Sequence, residues 1–68
     1  MLNIAQIISE VDELFDPTSQ KLADVRAVRR ARVQMGKLAK MKRKEEDPDV
    51  QDALQKLIDR LVDAIDAE

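Results

Sequence analysis

Two aspartates in the last third of the sequence, Asp59 and Asp63, are four residues apart, so on a helix their carboxylates would lie on the same face. Two carboxylates at this spacing can share a cation, or can serve as a general acid and a general base. Acid–base catalysis also requires a pocket that raises the pKa of one carboxyl, and the polar side of a short helix provides none. The pair therefore predicts a solvated helix face and no catalytic residue.

A second acidic stretch, DPDVQD at 47–52, has some features of a calcium-binding loop. A loop of the EF-hand type needs a glycine at its sixth position, and that position is Asp52 here. The chain also has no Cys, no His and a single Gly, which excludes thiolate and imidazole metal sites, Cys or His nucleophiles and glycine-rich phosphate loops. We predict no metal site and no cofactor, and we expect the protein not to be an enzyme.

The strongest chemical signal is positive charge in the middle of the sequence. Ten of the twelve Lys and Arg residues lie between Lys21 and Lys44, and acidic residues begin at Glu45. On a helix, six of these basic residues fall within one broad stripe. We call this candidate partner-binding face the basic stripe; its residues are Arg26, Arg29, Arg30, Lys37, Lys40 and Lys44.

The basic stripe has three alternative explanations. It could be a solvated face that pairs with acidic helices, a docking surface for an acidic protein, or an RNA- or DNA-binding face that neutralises phosphates. No aromatic residue lies near it to stack on a base, and acidic segments flank it. The sequence therefore favours the solvated, paired face, followed by a protein partner and then by nucleic acid. The acidic third segment leaves one more alternative, a mimic of nucleic acid.

The apolar residues recur with helical periodicity in three segments, and two Asp-Pro dipeptides separate these segments. This pattern predicts an all-α fold with helices at about 4–15, 17–44 and 48–66. Asn3 is placed to cap the first helix, and Leu2 to pack on Ile7. Asp16 and Asp47 are placed to cap the second and third helices, each followed by Pro in the first helical position. Short connections favour an antiparallel hairpin or bundle.

The single glycine, Gly36, falls inside the second predicted helix. It costs about 1 kcal/mol relative to Ala in a helix interior. We expect a tolerated packing glycine that allows close approach of another helix or a kink, with a turn that splits the second helix as the alternative.

The predicted helix lengths do not match, because at 1.5 Å per residue the second helix would be roughly 40 Å long and the third roughly 28 Å. A single chain would then leave apolar faces uncovered, which predicts a homo-oligomer, with a symmetric dimer favoured. The predicted interface for self-association or partner binding consists of the largest apolar residues of the first and third helices: Ile7, Val11, Leu14, Phe15, Leu54, Leu57, Ile58, Leu61 and Ile65.

Residues 1–68 form one small predicted domain. The sequence has neither an apolar run of roughly 20 residues, as a membrane span requires, nor the basic start of a signal peptide. We therefore expect a cytoplasmic protein with no membrane contact. In function, the sequence predicts a small adaptor or regulatory protein that self-associates and binds a macromolecular partner through charged and apolar helix faces.

Opposite charges on the second and third helices predict attraction between their flanks, through pairs such as Arg43 or Lys40 with Asp52 or Asp49. Each exposed pair would contribute about 0 to 1 kcal/mol. On this basis, the sequence predicts that added salt lowers the stability of the fold.

Overall fold

The computed structural model describes residues 3–67 and contains three α-helices: α1 (Ile4–Asp12), α2 (Val25–Lys44) and α3 (Pro48–Asp66). The predicted all-α fold is confirmed. A three-residue connection at 45–47 turns the chain back, and α2 and α3 pack closely along each other as a helical hairpin. The much shorter α1 packs mainly against α3.

The third helix begins and ends where the sequence predicts. Asp47 is its N-cap: its carboxylate accepts a hydrogen bond from the Asp49 backbone N–H at 2.9 Å, and Pro48 occupies the first helical position. The reversal of charge coincides with two helix ends, because Lys42, Arg43 and Lys44 form the last turn of α2. Cations at a helix C-terminus and an acid at a helix N-terminus both complement the helix dipole.

The first helix begins as predicted and ends earlier than predicted. The Asn3 side chain accepts a hydrogen bond from the Gln6 backbone N–H at 3.1 Å. Leu2, which we expected to pack on Ile7, lies outside the described residues. After Asp12 the chain tightens into a turn, in which the Phe15 N–H donates to the Asp12 carbonyl, and Phe15 then pairs in an isolated β-bridge with Leu22. This bridge directs the chain away from the helix axis.

The predicted start of the second helix is wrong by eight residues, since α2 begins at Val25 and not at Pro17. The Asp16 carboxylate accepts hydrogen bonds from the N–H groups of Thr18 and Ser19 and closes a local turn. Gln20 then adopts a left-handed conformation with φ of 62°, which no helix accommodates. The true cap is Asp24, which accepts a hydrogen bond from the Ala27 N–H at 2.8 Å.

The loop before α2 is explained by burial of Leu22, which is only 6% exposed. In the loop conformation Leu22 lies beside Phe15 in the β-bridge, where both side chains contribute to the core. The corrected boundaries also match the helices in length, at 20 residues for α2 and 19 for α3. The predicted mismatch in length between the second and third helices is therefore absent, and only α1, with nine residues, is much shorter.

Replacing Asp24 with Ala tests this correction. Loss of an N-cap carboxylate costs about 1 kcal/mol, so we expect Asp24→Ala to lower the free energy of unfolding by that amount and to reduce helicity. Asp16→Ala removes the same charge and is the matched control; it should leave the helical circular dichroism signal unchanged. If Asp16→Ala removed helix content and Asp24→Ala did not, a helix beginning at Pro17 would be correct after all.

The core lies between the three helices and takes side chains from all of them and from the loop. Among residues 3–67 it comprises eleven buried apolar residues: Ile7, Val11, Leu14, Phe15, Leu22, Ala27, Ala31, Leu38, Leu54, Leu57 and Leu61. Gly36 lies on the exposed side of α2, which continues through it, and a Cβ at this position would meet no atom within 4 Å. The expectation that the helix continues through this glycine is confirmed, but the expected packing role is wrong, because Gly36 makes no close helix contact.

One side chain of α3 attaches α1 to the hairpin. The Arg60 guanidinium forms an ion pair with Asp12, which is 48 residues away in the sequence, and lies over the Phe15 ring at 4.1 Å from its centroid. A cation over an aromatic face adds about 0.5–1 kcal/mol at a partly exposed site. Arg60 therefore fixes the end of α1 against α3 and not against α2.

None of the helices within residues 3–67 combines the length and the apolar character needed to span a lipid bilayer.

Candidate interaction surface

All six residues of the basic stripe are exposed along the outer face of α2. The stripe extends from Arg26 to Lys44, a rise of about 27 Å at 1.5 Å per residue. The stripe faces solvent because the other side of α2, which carries Ala27, Ala31 and Leu38, packs into the core. The structure therefore brings the predicted basic residues together on one accessible surface.

No acidic side chain forms an ion pair with the basic stripe within the described residues. Helix α2 carries nine Lys and Arg residues and no Asp or Glu. Within residues 3–67 the two ion pairs are Lys56 with Asp52, both on α3, and Arg60 with Asp12. Neither includes a residue of α2, so no base of the stripe has an ion-pair partner among these residues.

The flank pairs predicted between α2 and α3 are not formed. Among the described residues, neither Lys40 nor Arg43 lies within ion-pair distance of Asp49 or Asp52. The contact across the hairpin is instead a hydrogen bond from the Lys42 ammonium to the Gln55 amide oxygen. Lys40 and Arg43 are exposed, whereas Lys42 is partly buried and reaches Gln55 of α3.

The apolar residues predicted to form an interface lie mainly inside the single chain. Ile58 and Ile65 are partly buried and pack against the core, and the other seven are core residues: Ile7, Val11, Leu14, Phe15, Leu54, Leu57 and Leu61. The periodicity thus identifies the buried faces correctly, and within one chain the three helices already cover them.

An open groove of about 500 Å³ lies between α1 and α2. The α1 side carries Glu10 and Glu13, together with Leu14. The α2 side carries half of the basic stripe, Arg29, Arg30 and Lys37, together with Val33 and Gln34. The groove therefore has an acidic wall and a basic wall, and apolar atoms lie between them.

Sequence reasoning did not identify Val33, Glu10 and Glu13 as functional residues. Val33 is 59% exposed and lies at the centre of the basic stripe, seven residues after Arg26 and four before Lys37. The sequence could have indicated Val33, because it is a β-branched apolar residue on an otherwise charged helix face. For the two glutamates there was no signal, because their approach to α2 depends on how the helices pack.

The acidic residues of α3 show no arrangement of metal ligands. Asp59 accepts a hydrogen bond from the Gln55 side chain at 2.8 Å, and Asp52 is paired with Lys56 at 3.2 Å. Asp59 and Asp63 are both exposed. Across residues 3–67, no three acidic side chains converge as a metal-binding group would require.

No protein-family model matches the chain, and neither a curated protein nor a solved structure is significantly similar to it.

Proposed function

We propose that this protein is a non-enzymatic interaction module that binds an acidic protein partner through the basic stripe of α2. The observation that carries the proposal is the stripe itself, six exposed cations along one helix with no acid on that helix. Like charges three or four residues apart on a helix repel each other and destabilise it by about 0.2–0.5 kcal/mol per pair. A partner of opposite charge would relieve this repulsion when it covers the stripe.

Self-association is not needed to complete the fold in this proposal. The large apolar residues that first indicated an oligomer are covered by the chain's own helices. An interface made of cations alone would also repel a second copy of itself. The proposed partner is therefore a different surface, or a differently charged part of a second molecule.

An acidic protein fits this surface better than nucleic acid does. Glu10 and Glu13 line the groove beside Arg29, Arg30 and Lys37, so they repel any uniformly anionic chain there. A nucleic-acid backbone carries a phosphate at every nucleotide, whereas a folded protein can place carboxylates beside the basic residues and other residues beside the glutamates. The single aromatic residue, Phe15, is buried beneath Arg60 and offers no face to a base. Recognition of single-stranded nucleic acid commonly uses exposed aromatic platforms.

Binding of a short poly-L-glutamate peptide tests the proposal. We expect the variant Arg26→Gln/Lys40→Gln/Lys44→Gln to bind at least about tenfold more weakly in fluorescence anisotropy at about 0.15 M salt, as expected when several charge contacts are lost. The matched control carries the same three charge losses outside the stripe, Lys21→Gln/Arg32→Gln/Arg43→Gln. It should change the dissociation constant by less than about twofold.

Equal weakening in both variants, or no binding by the unmodified chain, would contradict the proposal. An RNA duplex is measured in parallel and should bind no more tightly than the roughly 1 μM to 0.1 mM of non-specific contacts. Nanomolar RNA binding at the same salt would establish the nucleic-acid alternative.

A further inference from the structure

We propose that the α1–α2 groove is a docking site for one amphipathic helix of the partner, with acidic residues on its α2 side and basic residues on its α1 side. This inference rests on the proposed function and makes it more specific. It identifies which part of the stripe makes the central contact, and what charge pattern the partner carries.

The two walls of the groove define the charge pattern of the occupant. Arg29, Arg30 and Lys37 attract carboxylates along one edge, whereas Glu10 and Glu13 repel carboxylates and attract cations along the other. A uniformly acidic strand or a phosphate backbone would meet repulsion from the α1 wall. Opposed charges on the two flanks of one helix satisfy both walls, as e and g residues do in paired coiled coils.

The dimensions and the apolar atoms of the groove fit a helix. From Arg29 to Lys37 the groove follows α2 for about 12 Å, or a little more than two helical turns. Val33 projects into it from α2, and Leu14 contributes from the α1 side. An apolar seam of residues spaced i, i+3 or i+4, and i+7 on the partner can pack mainly on Val33, because Leu14 is a core residue of which only 8% is exposed. Packing of such a seam is the usual way that a helix binds in a groove.

The groove stays open because α1 is attached elsewhere. Arg60 of α3 pairs with Asp12 and covers Phe15, so the end of α1 is fixed to α3. Among the described residues, Glu10 and Glu13 make no ion pair with α2. A docked helix would therefore meet charges of both signs that are free to pair with it.

Two designed helical peptides test the inference on the full chain. Both are alanine-based with a leucine seam; the two-sided peptide has Glu on one flank and Lys on the other, and the acidic peptide has Glu on both flanks. In the variant Glu10→Lys/Glu13→Lys, we expect the ratio of the two dissociation constants to shift at least about tenfold in favour of the acidic peptide.

A second pair of variants tests the apolar contact. Val33→Ser should weaken binding of the two-sided peptide about five- to tenfold, as truncation of a central interface residue does. Val25→Ser is the matched control, because Val25 is also largely exposed on α2, at 69% against 59% for Val33, but lies outside the groove. It should change binding by less than about twofold. Ser and Val have similar helix propensities, so neither change alters α2 itself.

The outcomes separate this inference from the proposed function. An unchanged ratio in Glu10→Lys/Glu13→Lys, or equal effects of Val33→Ser and Val25→Ser, would overturn the groove as the docking site. Loss of poly-L-glutamate binding in the stripe variant would persist in that case, and the proposed function would stand. If neither peptide nor poly-L-glutamate bound the unmodified chain, the docking groove and the proposed function would both be contradicted.

Discussion

Replacing Leu61 with Asp is expected to abolish cooperative folding. The Leu61 side chain is fully buried, with 0% exposure, between the helices of a single chain. A carboxylate there would have no partner, and removal of a buried Leu side chain to Ala already costs about 2–5 kcal/mol. A domain of this size has a total stability of only about 3–10 kcal/mol. Circular dichroism at room temperature should therefore show loss of helix without a thermal transition.

Leu61→Asp is expected to be unfolded, so its free energy of unfolding cannot be measured. Leu61→Ala should still fold and allows that measurement. Its free energy of unfolding in urea should fall by about 2–5 kcal/mol. Val25→Asp is the control, because Val25 is 69% exposed at the start of α2, where an added acid complements the helix dipole. Its stability should be within about 0.5 kcal/mol of the unmodified chain.

The same experiment distinguishes a core from an oligomer interface. If Leu61 is buried by its own chain, the unfolding midpoint of the unmodified protein should not depend on protein concentration. A midpoint that rises with concentration would show that a second chain contributes to the burial, because association stabilises the folded state by mass action. That result would restore the self-association predicted from the sequence.

Local signals in the sequence were sufficient to predict α3. Asp47 and Pro48 mark its start, and the apolar residues at 54, 57 and 61 define its buried face; each of these signals acts within two turns of the helix. Helix caps and periodicity depend on near neighbours, so they can be read without knowledge of the fold.

The start of α2 depended on contacts that are distant in sequence. Asp16-Pro17 has the local features of a helix start, as Asp47-Pro48 does. The loop forms instead because Leu22 is buried beside Phe15, and no local pattern indicates that pairing. Tertiary burial therefore overrode a favourable capping signal.

The candidate site was only half predictable for a similar reason. The six bases of the stripe share a face by helical geometry alone. The acidic wall opposite them comes from α1, whose position is set by the contact of Arg60 with Asp12 across 48 residues. The predicted oligomer shows the same limit of local signals. The periodicity of apolar residues shows that a helix face is buried, but it does not show whether the same chain or a second chain covers that face.

The packing also reverses the predicted effect of salt on stability. Attraction between the flanks of α2 and α3 would make added salt destabilising, but the ion pairs that this requires are absent from residues 3–67. What remains on α2 is repulsion, since six pairs of its bases are three or four residues apart. At about 0.2–0.5 kcal/mol each, these pairs together oppose folding by about 1–3 kcal/mol at low salt.

We therefore expect sodium chloride to raise the melting temperature of the protein. From 0.01 M to 1 M salt the Debye length falls from about 30 Å to about 3 Å, which screens the repulsion along α2. The exposed pairs Lys56–Asp52 and Arg60–Asp12 weaken at the same time, but each contributes only about 0–1 kcal/mol. A net gain of about 1 kcal/mol corresponds to a rise of about 4–8 °C for a domain of this size.

The stripe variant Arg26→Gln/Lys40→Gln/Lys44→Gln isolates the source of this effect. It removes most of the closely spaced pairs, so it should melt at a higher temperature than the unmodified chain at low salt and respond less to added chloride. Lys21→Gln/Arg32→Gln/Arg43→Gln loses the same charge but leaves more of those pairs, so it should keep more of the response. If salt lowered the melting temperature of the unmodified chain, attraction between the helices would dominate. The basic stripe would then be compensated within the molecule, and the electrostatic case for an acidic partner would be lost.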